Sequence, residues 1–164
     1  MAQKGMKELD SKAWRAFHKI GQQLIPHLGR QIMNHSGLSA AEYVVLLAIY
    51  ESNEAALNVN TLAAQLGWEI SRMSHQVTRM HESGLLKKTK SNSDSRCFDV
   101  GLTAVGKNRI IEAVPLQSLE INHCFSDILT KSQMQALIEI SSVISTHLEE
   151  HHPVNQRNTT QKAS

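Results

Sequence analysis

Histidine and cysteine are the residue types in this sequence that could most readily support catalysis or bind a metal, and the 164 residues include nine histidines and two cysteines. His147 and His151 are four residues apart, so a helix would place both rings on one face, as a metal site requires. No HExxH or paired CxxC pattern accompanies them, and the chain has no glycine-rich phosphate loop or nucleophile elbow. We therefore predict a protein that is not an enzyme and has no resident metal or cofactor.

The two cysteines have different surroundings in the sequence. Cys97 directly follows Arg96, and a nearby cation favours the reactive thiolate form of a cysteine. Cys124 comes late in a predicted helix, where we expect a small packing residue. Two cysteines are too few for the disulfide framework of a small secreted protein, so that class is excluded.

Length and composition further limit the class of protein. A chain of 164 residues that is 41% hydrophobic can bury the core of one compact domain. No apolar run approaches the roughly 20 residues that span a bilayer, and the charged start MAQKGMKELDSK is not followed by the apolar segment of a secretory signal. We expect a cytoplasmic protein that has no membrane partner.

Basic residues are concentrated in the middle of the chain. Residues 69–109 hold eight Lys and Arg against four Asp and Glu, a local charge of +4, whereas the whole chain carries +2 and the remainder is therefore −2. Such a surplus fits binding to DNA phosphates. A lysine-rich strand edge that discourages aggregation would give the same pattern, so charge alone leaves both interpretations open.

Helical periodicity dominates both ends of the sequence. A stripe of apolar residues predicts a long amphipathic helix between Asp10 and Asn34, with a kink at Pro26. A capping box at Ser39 and Glu42 predicts a second, buried helix. Thr103 is expected to cap a long helix through about Phe125, bent near Pro115, and a further capping box, Thr130–Gln133, opens the last helix. The stripe residues are Trp14, Phe17, Leu24, Leu28 and Ile32 in the first helix and Leu137, Ile138, Ile144 and Leu148 in the last.

The middle of the chain predicts a helix-turn-helix followed by a β-hairpin. Asn60 is expected to cap a short helix that ends at Gly67, and a second helix over residues 71–82 turns Met73, Val77 and Met80 inward. Residues 85–90 and 97–102 are predicted strands, and the polar residues 91–95 between them read as a hairpin loop. We therefore expect a two-stranded wing next to the helix-turn-helix.

Several motifs of this region are those of a known family. They are Leu62-Ala-Ala-Gln-Leu-Gly67, residues 71–80 (SRMSHQVTRM), Gly84-Leu-Leu86, and Asp94-Ser-Arg96 followed by Val100-Gly-Leu-Thr103-Ala-Val-Gly106. With these motifs the sequence resembles the MarR family of bacterial winged helix-turn-helix transcriptional regulators. The resemblance implies a mainly α fold with a small β wing, and long N- and C-terminal helices that form a homodimer. It divides the chain into a dimerisation helix (1–36), a DNA-binding lobe (37–103), further dimerisation helices (104–152) and a tail expected to be disordered (153–164).

The resemblance also implies a function. The expected protein binds a pseudo-palindromic operator in double-stranded DNA as a homodimer, and is a repressor released by a small effector. The alternative is a winged-helix module that binds a protein instead of DNA. A guanidinium on the wing favours DNA, because an interaction module has no need of it.

Candidate DNA contacts follow from the family's binding geometry. Six side chains near the start of the second helix could reach bases or phosphates in the major groove, although they would equally form an ordinary solvated face. Lys87 and Lys88 would attract phosphates. Arg96 occupies the position of the family's minor-groove arginine, and Asp94 could hold its guanidinium. The six are Ser71, Arg72, Ser74, His75, Gln76 and Arg79.

Effector candidates come from the junction between the dimer helices and the DNA-binding lobe, where the family binds its ligands. Trp14, His18, His35 and Tyr43 could supply aromatic walls and hydrogen-bond donors there, although core packing is the ordinary role of each. These residue types suit a small aromatic or anionic compound.

Overall fold

The computed structural model describes residues 5–52, 54–90 and 98–151. Asp94, Arg96, Cys97 and the tail over residues 153–164 lie outside the described residues. The predicted fold class is confirmed, because a small antiparallel sheet is set among long helices. The elements are α1 (Glu8–Ser36), α2 (Ala40–Glu51), β1 (Leu57–Asn58), α3 (Val59–Gln65), α4 (Ile70–Glu82), β2 (Leu86–Lys90), β3 (Phe98–Leu102), α5 (Ala104–Ile121), a π-helical turn (Asn122–Ser126) and α6 (Lys131–His151).

Both predicted capping boxes are present. The Ser39 amide donates to a Glu42 carboxylate oxygen at 2.8 Å, and the Glu42 amide donates to the Ser39 hydroxyl at 3.2 Å. Thr130 and Gln133 form the same reciprocal pair at the start of α6. Each box satisfies two amides that the first turn of a helix leaves unpaired, so these two helix starts are determined locally.

The cap of α3 differs from the prediction. Asn58, not Asn60, caps this helix, because its side-chain oxygen accepts the Asn60 amide hydrogen at 2.9 Å. Asn58 is also the last residue of β1, so the chain passes from strand to helix without a loop. The cap therefore lies two residues earlier than predicted, and the helix starts at Val59.

The sheet has three strands in the order β1-β3-β2, all antiparallel, where the sequence predicted two. The predicted hairpin pairs Leu86 with Leu102 and Lys90 with Phe98. The additional strand pairs Leu57 with Val100. A strand of two residues is too short to show alternation, and it exists here because β3 offers a free edge.

The core lies within the helix-turn-helix and its wing. Met73, Val77 and Met80 of α4 are buried as predicted, and so are five residues of α2. The outward face of α4 is consequently the one that its polar residues occupy. Other fully buried side chains are Leu38, Leu62, Leu86, Val100 and Ile110.

A close approach joins α5 to the wing. The Thr103 hydroxyl caps α5 by accepting the Gly106 amide hydrogen at 3.0 Å, as predicted. A Cβ atom at Gly106 would overlap the carbonyl oxygen of Leu85. Glycine is therefore required where the first turn of α5 meets the chain between α4 and β2.

The long helices form the outer part of the molecule. α1 and α5 continue through Pro26 and Pro115 respectively, and α5 ends at Ile121, earlier than predicted, because a π-helical turn follows. α5 packs along α1, whereas no residue of α6 is buried. Among residues 5–52, 54–90 and 98–151, no single helix has the length and apolar composition to cross a membrane, although α1 and α2, which meet at 80°, pass that test as a bent pair.

Candidate nucleic-acid interface

The outward face of α4 presents most of the residues predicted to read DNA. The side chains of Ser71, Arg72, Ser74, His75 and Arg79 are exposed, and Gln76 is partly exposed. Glu69 precedes the helix, and its side chain makes no capping hydrogen bond within the described part of the chain. The first amides of α4 therefore remain available to an anion such as a phosphate.

Arg72 is held over an aromatic ring at this end of α4. Its guanidinium carbon lies 4.1 Å from the centroid of the Trp68 ring, within the range of a cation–π contact. Trp68 itself is partly buried and packs against the core. The contact between the two residues was not predicted from the sequence.

The two lysines predicted to bind phosphates differ in their surroundings. Lys87 is exposed, whereas Lys88, the next residue along β2, is half-buried. The Lys88 ammonium donates to the Thr78 hydroxyl at 3.3 Å and lies 4.7 Å from the centroid of the Phe98 ring. From the middle of β2, Lys88 thus bridges α4 and β3, a role that its basic character alone did not predict.

A cleft of about 350 Å³ lies beside this bridge, between α3, α4 and the wing. Its walls include Ile70, Ser74, Lys88 and Phe98. Within the described residues, Arg79, Lys87 and Lys90 form no ion pair with a carboxylate, since the ion pairs found lie on α1 and between α1 and α5. The charges of α4 and β2 are therefore available to an external anion. The predicted contacts at Asp94 and Arg96 fall outside the described residues.

The four effector candidates do not converge within one chain. Trp14 stacks on His18, with ring centroids 5.8 Å apart, and both are exposed near the start of α1. His35 lies 17 residues beyond His18 on the same helix, a distance of about 26 Å along its axis. Tyr43 is only 7% exposed in α2, and this burial, together with the charge of Glu51, raises its pKa above the ordinary value. A single chain therefore does not arrange the four around one pocket, and the effector site stays a prediction for the dimer.

The residues that could bind a metal or undergo oxidation are also dispersed. Among the described residues, no group of three or more His, Cys, Asp or Glu could hold a metal ion. His147 and His151 stack on each other with centroids 4.3 Å apart, on the exposed last helix. Cys124 is half-buried in the π-helical turn.

The helix-turn-helix of α3 and α4 and the antiparallel wing that follows define a winged helix-turn-helix protein. Residues 38–98 match the model of the MarR family, which confirms the resemblance that the sequence motifs indicated. No sequence among curated proteins matches the chain.

Similar solved structures extend the likeness beyond residues 38–98. AbsC, a MarR family transcriptional regulator from Streptomyces coelicolor, is 24% identical, with 90% of this chain and 99% of AbsC covered and a TM-score of 0.83. Sco3205 from the same organism, solved in complex with DNA, is 25% identical, with 90% and 92% covered and a TM-score of 0.84. BldR from Sulfolobus solfataricus is 20% identical, with 86% and 99% covered and a TM-score of 0.70. The long helices α1, α5 and α6 are thus part of the shared fold.

Proposed function

We propose that this protein is a transcriptional regulator that binds specific sites in double-stranded DNA as a homodimer. The observation that carries the proposal is the outward face of α4, where exposed polar and basic side chains stand opposite a fully apolar buried face. Arg79, Lys87 and Lys90, which form no ion pair within the described residues, lie on the two elements that a winged helix-turn-helix presents to a duplex. The complex of Sco3205 with DNA supports the same use of the fold.

In the proposed complex, the first half of α4 enters the major groove. Ser71, Ser74 and the first backbone amides of α4 would bind phosphates, while Arg72, His75 and Gln76 would reach base edges. Lys87 would contact the phosphate backbone of the DNA beside the major groove. Asp94 and Arg96 keep the roles that the family resemblance implies, with the arginine in the minor groove and the carboxylate orienting it.

A second copy of this chain is the proposed partner of the long helices. Large apolar side chains are exposed along α1 and α6, including Phe17 at 57% on α1 and Ile138 at 62% and Val143 at 71% on α6. So many large apolar side chains exposed along two helices are unusual on a monomer, and a symmetric dimer would cover them. We therefore propose residues 1–36 and 104–152 as dimerisation regions and residues 37–103 as the DNA-binding lobe, in a cytoplasmic protein.

Release from DNA by a small effector is the second part of the proposal. A compound that favours a different separation of the two α4 helices would weaken binding to an operator with fixed half-site spacing. The stacked pair Trp14 and His18 would supply an aromatic wall for an aromatic or anionic compound, and a second chain would complete the proposed site with its copies of His35 and Tyr43. Such a protein would act as a repressor of the genes beside its operator.

Selection from a library of random duplexes tests the proposal. The purified protein is expected to enrich a sequence with two inverted half-sites about one helical turn apart, roughly 34–36 Å. The control is a variant in which Arg79 and Lys87 are both changed to Ala, which should enrich the same sequence far less. Enrichment of no duplex by the folded wild-type protein would instead favour the alternative, a winged-helix module that binds a protein.

A further inference from the structure

We propose that Trp68 is a positioning residue that holds Arg72 ready for contact with DNA. The inference rests on the proposed function and deepens it, because it assigns part of the specificity to a residue that does not itself touch the duplex. It begins from the contact in which the Arg72 guanidinium lies 4.1 Å from the centroid of the Trp68 ring.

The Trp68 ring is fixed by the turn between α3 and α4. Gly67 has a positive φ of 63°, which reverses the chain after α3. The Trp68 amide then donates a 2.8 Å hydrogen bond to the carbonyl oxygen of Ala63, one turn back in α3. The side chain is partly buried against the core, so its position is set by the helix-turn-helix itself.

Arg72, by contrast, is exposed and lies in the first turn of α4, the end that enters the major groove. A free arginine side chain has many rotamers, and ordering them on binding opposes affinity. Within the described residues Arg72 has no carboxylate partner, so the ring is what restricts it.

The geometry of stacking leaves the arginine competent to bind. A guanidinium stacks through its flat face, whereas its five N–H donors point outward from the edge of the plane. In the parallel arrangement that a separation of 4.1 Å allows, the edge of Arg72 can donate two hydrogen bonds to a guanine or a phosphate while its face lies on Trp68. The same contact covers the outer face of the ring, which argues against direct stacking of Trp68 on a base.

A double-mutant cycle on the full-length protein tests the inference. Binding to the selected operator is measured for the wild type, Trp68→Leu, Arg72→Ala and the double variant, with thermal unfolding of each as the check on folding. Trp68→Leu is expected to weaken binding about two- to fivefold, the size of an exposed cation–π contact, and to cause no further loss when Arg72 is already Ala. Trp68→Phe, which keeps an aromatic face, should retain most of the affinity. Trp68→Met, which removes the ring but keeps a large apolar side chain, serves in place of Trp68→Leu if that variant unfolds.

Base preference distinguishes positioning from a structural role. Trp68→Leu should flatten the preference at the same operator position as Arg72→Ala, and at no other position. Equal losses in the presence and absence of Arg72 would overturn the inference, and so would tighter binding by Trp68→Leu, which would mean that the ring holds the arginine away from DNA. If the wild-type protein binds no duplex, the proposed function fails first, and the two failures are thereby distinguished.

Discussion

The hydroxyl group of Thr103 donates a 2.6 Å hydrogen bond to the carbonyl oxygen of Gly84, and this bond connects the start of α5 to the turn after α4. The Thr103 amide makes a second connection, to the carbonyl oxygen of Leu85 at 3.1 Å. Because α5 also packs along α1, this junction joins the long helices to the helix proposed to read DNA. In the proposed dimer, a shift of α1 or α5 would therefore be passed on to α4, as the proposed release by an effector requires.

The junction predicts a severe effect of a small substitution. Gly106→Ala should lower the free energy of unfolding by about 1–3 kcal/mol or more, because the added Cβ atom meets the backbone of Leu85, which cannot turn aside. Urea denaturation measures the change. Gly21→Ala in α1 is the matched control, since nothing lies near its added methyl group, and it should be neutral or slightly stabilising. Equal stability of the two variants would contradict the close approach.

Lys87 and Lys88 should give different results when each is changed to Met. Lys87→Met should lower the slope of operator affinity against salt concentration by about one, because an exposed phosphate contact is lost. Lys88→Met should change that slope less and reduce the free energy of unfolding by about 1 kcal/mol, because its contacts with Thr78 and Phe98 are lost. Salt titrations and thermal unfolding of both variants measure the two effects. If the slope responded more to Lys88 than to Lys87, the assignment would be reversed.

The proposed dimer predicts that two charges in α6 separate the protomers. Ile144→Asp combined with Leu148→Asp places carboxylates in an apolar seam, where an unpaired charge is strongly disfavoured. Sedimentation should show a monomer, and circular dichroism should show the helical content of the wild type. The control, Gln135→Asp with Thr146→Asp, changes the polar side of α6 and should remain dimeric. A dimer of the first variant would show that this face of α6 is not the interface.

Burial of Tyr43 predicts a loss of stability in alkali. The pKa of its hydroxyl is raised in the folded protein, mainly by burial, above the ordinary value of 10.0. Above that pH the unfolded chain loses the proton more readily than the folded chain, so the free energy of unfolding falls as pH rises. Tyr43→Phe should reduce this decline in urea denaturation between pH 9 and about 11, whereas Tyr50→Phe, at an exposed position, should not. Identical declines in both variants would contradict the assignment.

What the sequence could predict is what neighbouring residues determine. The capping boxes at Ser39 and Thr130 and the apolar face of α4 depend on spacings of three or four residues, and all were found. Strand β1 was missed because its two residues have no pattern of their own and are ordered by pairing with β3. The contacts of Lys88 were missed for a similar reason, since Thr78 and Phe98 are each ten positions away and only the fold brings all three together.

The candidate site was predicted less completely than the fold. Periodicity placed the outward residues of α4, but it could not show that Arg72 leans on Trp68, because that depends on the turn at Gly67. The effector residues were chosen by type, and the length of α1 separates His18 from His35 in one chain. A site that includes both His18 and His35 would therefore have to combine residues from two protomers.

The most direct test of the account is a titration of the wild-type protein against its selected duplex at several salt concentrations. We predict two protomers per duplex, an affinity that falls steeply as salt rises, and much weaker binding to an isolated half-site. Salt-independent binding, or equal affinity for the half-site and the complete operator, would contradict a dimeric DNA-binding regulator.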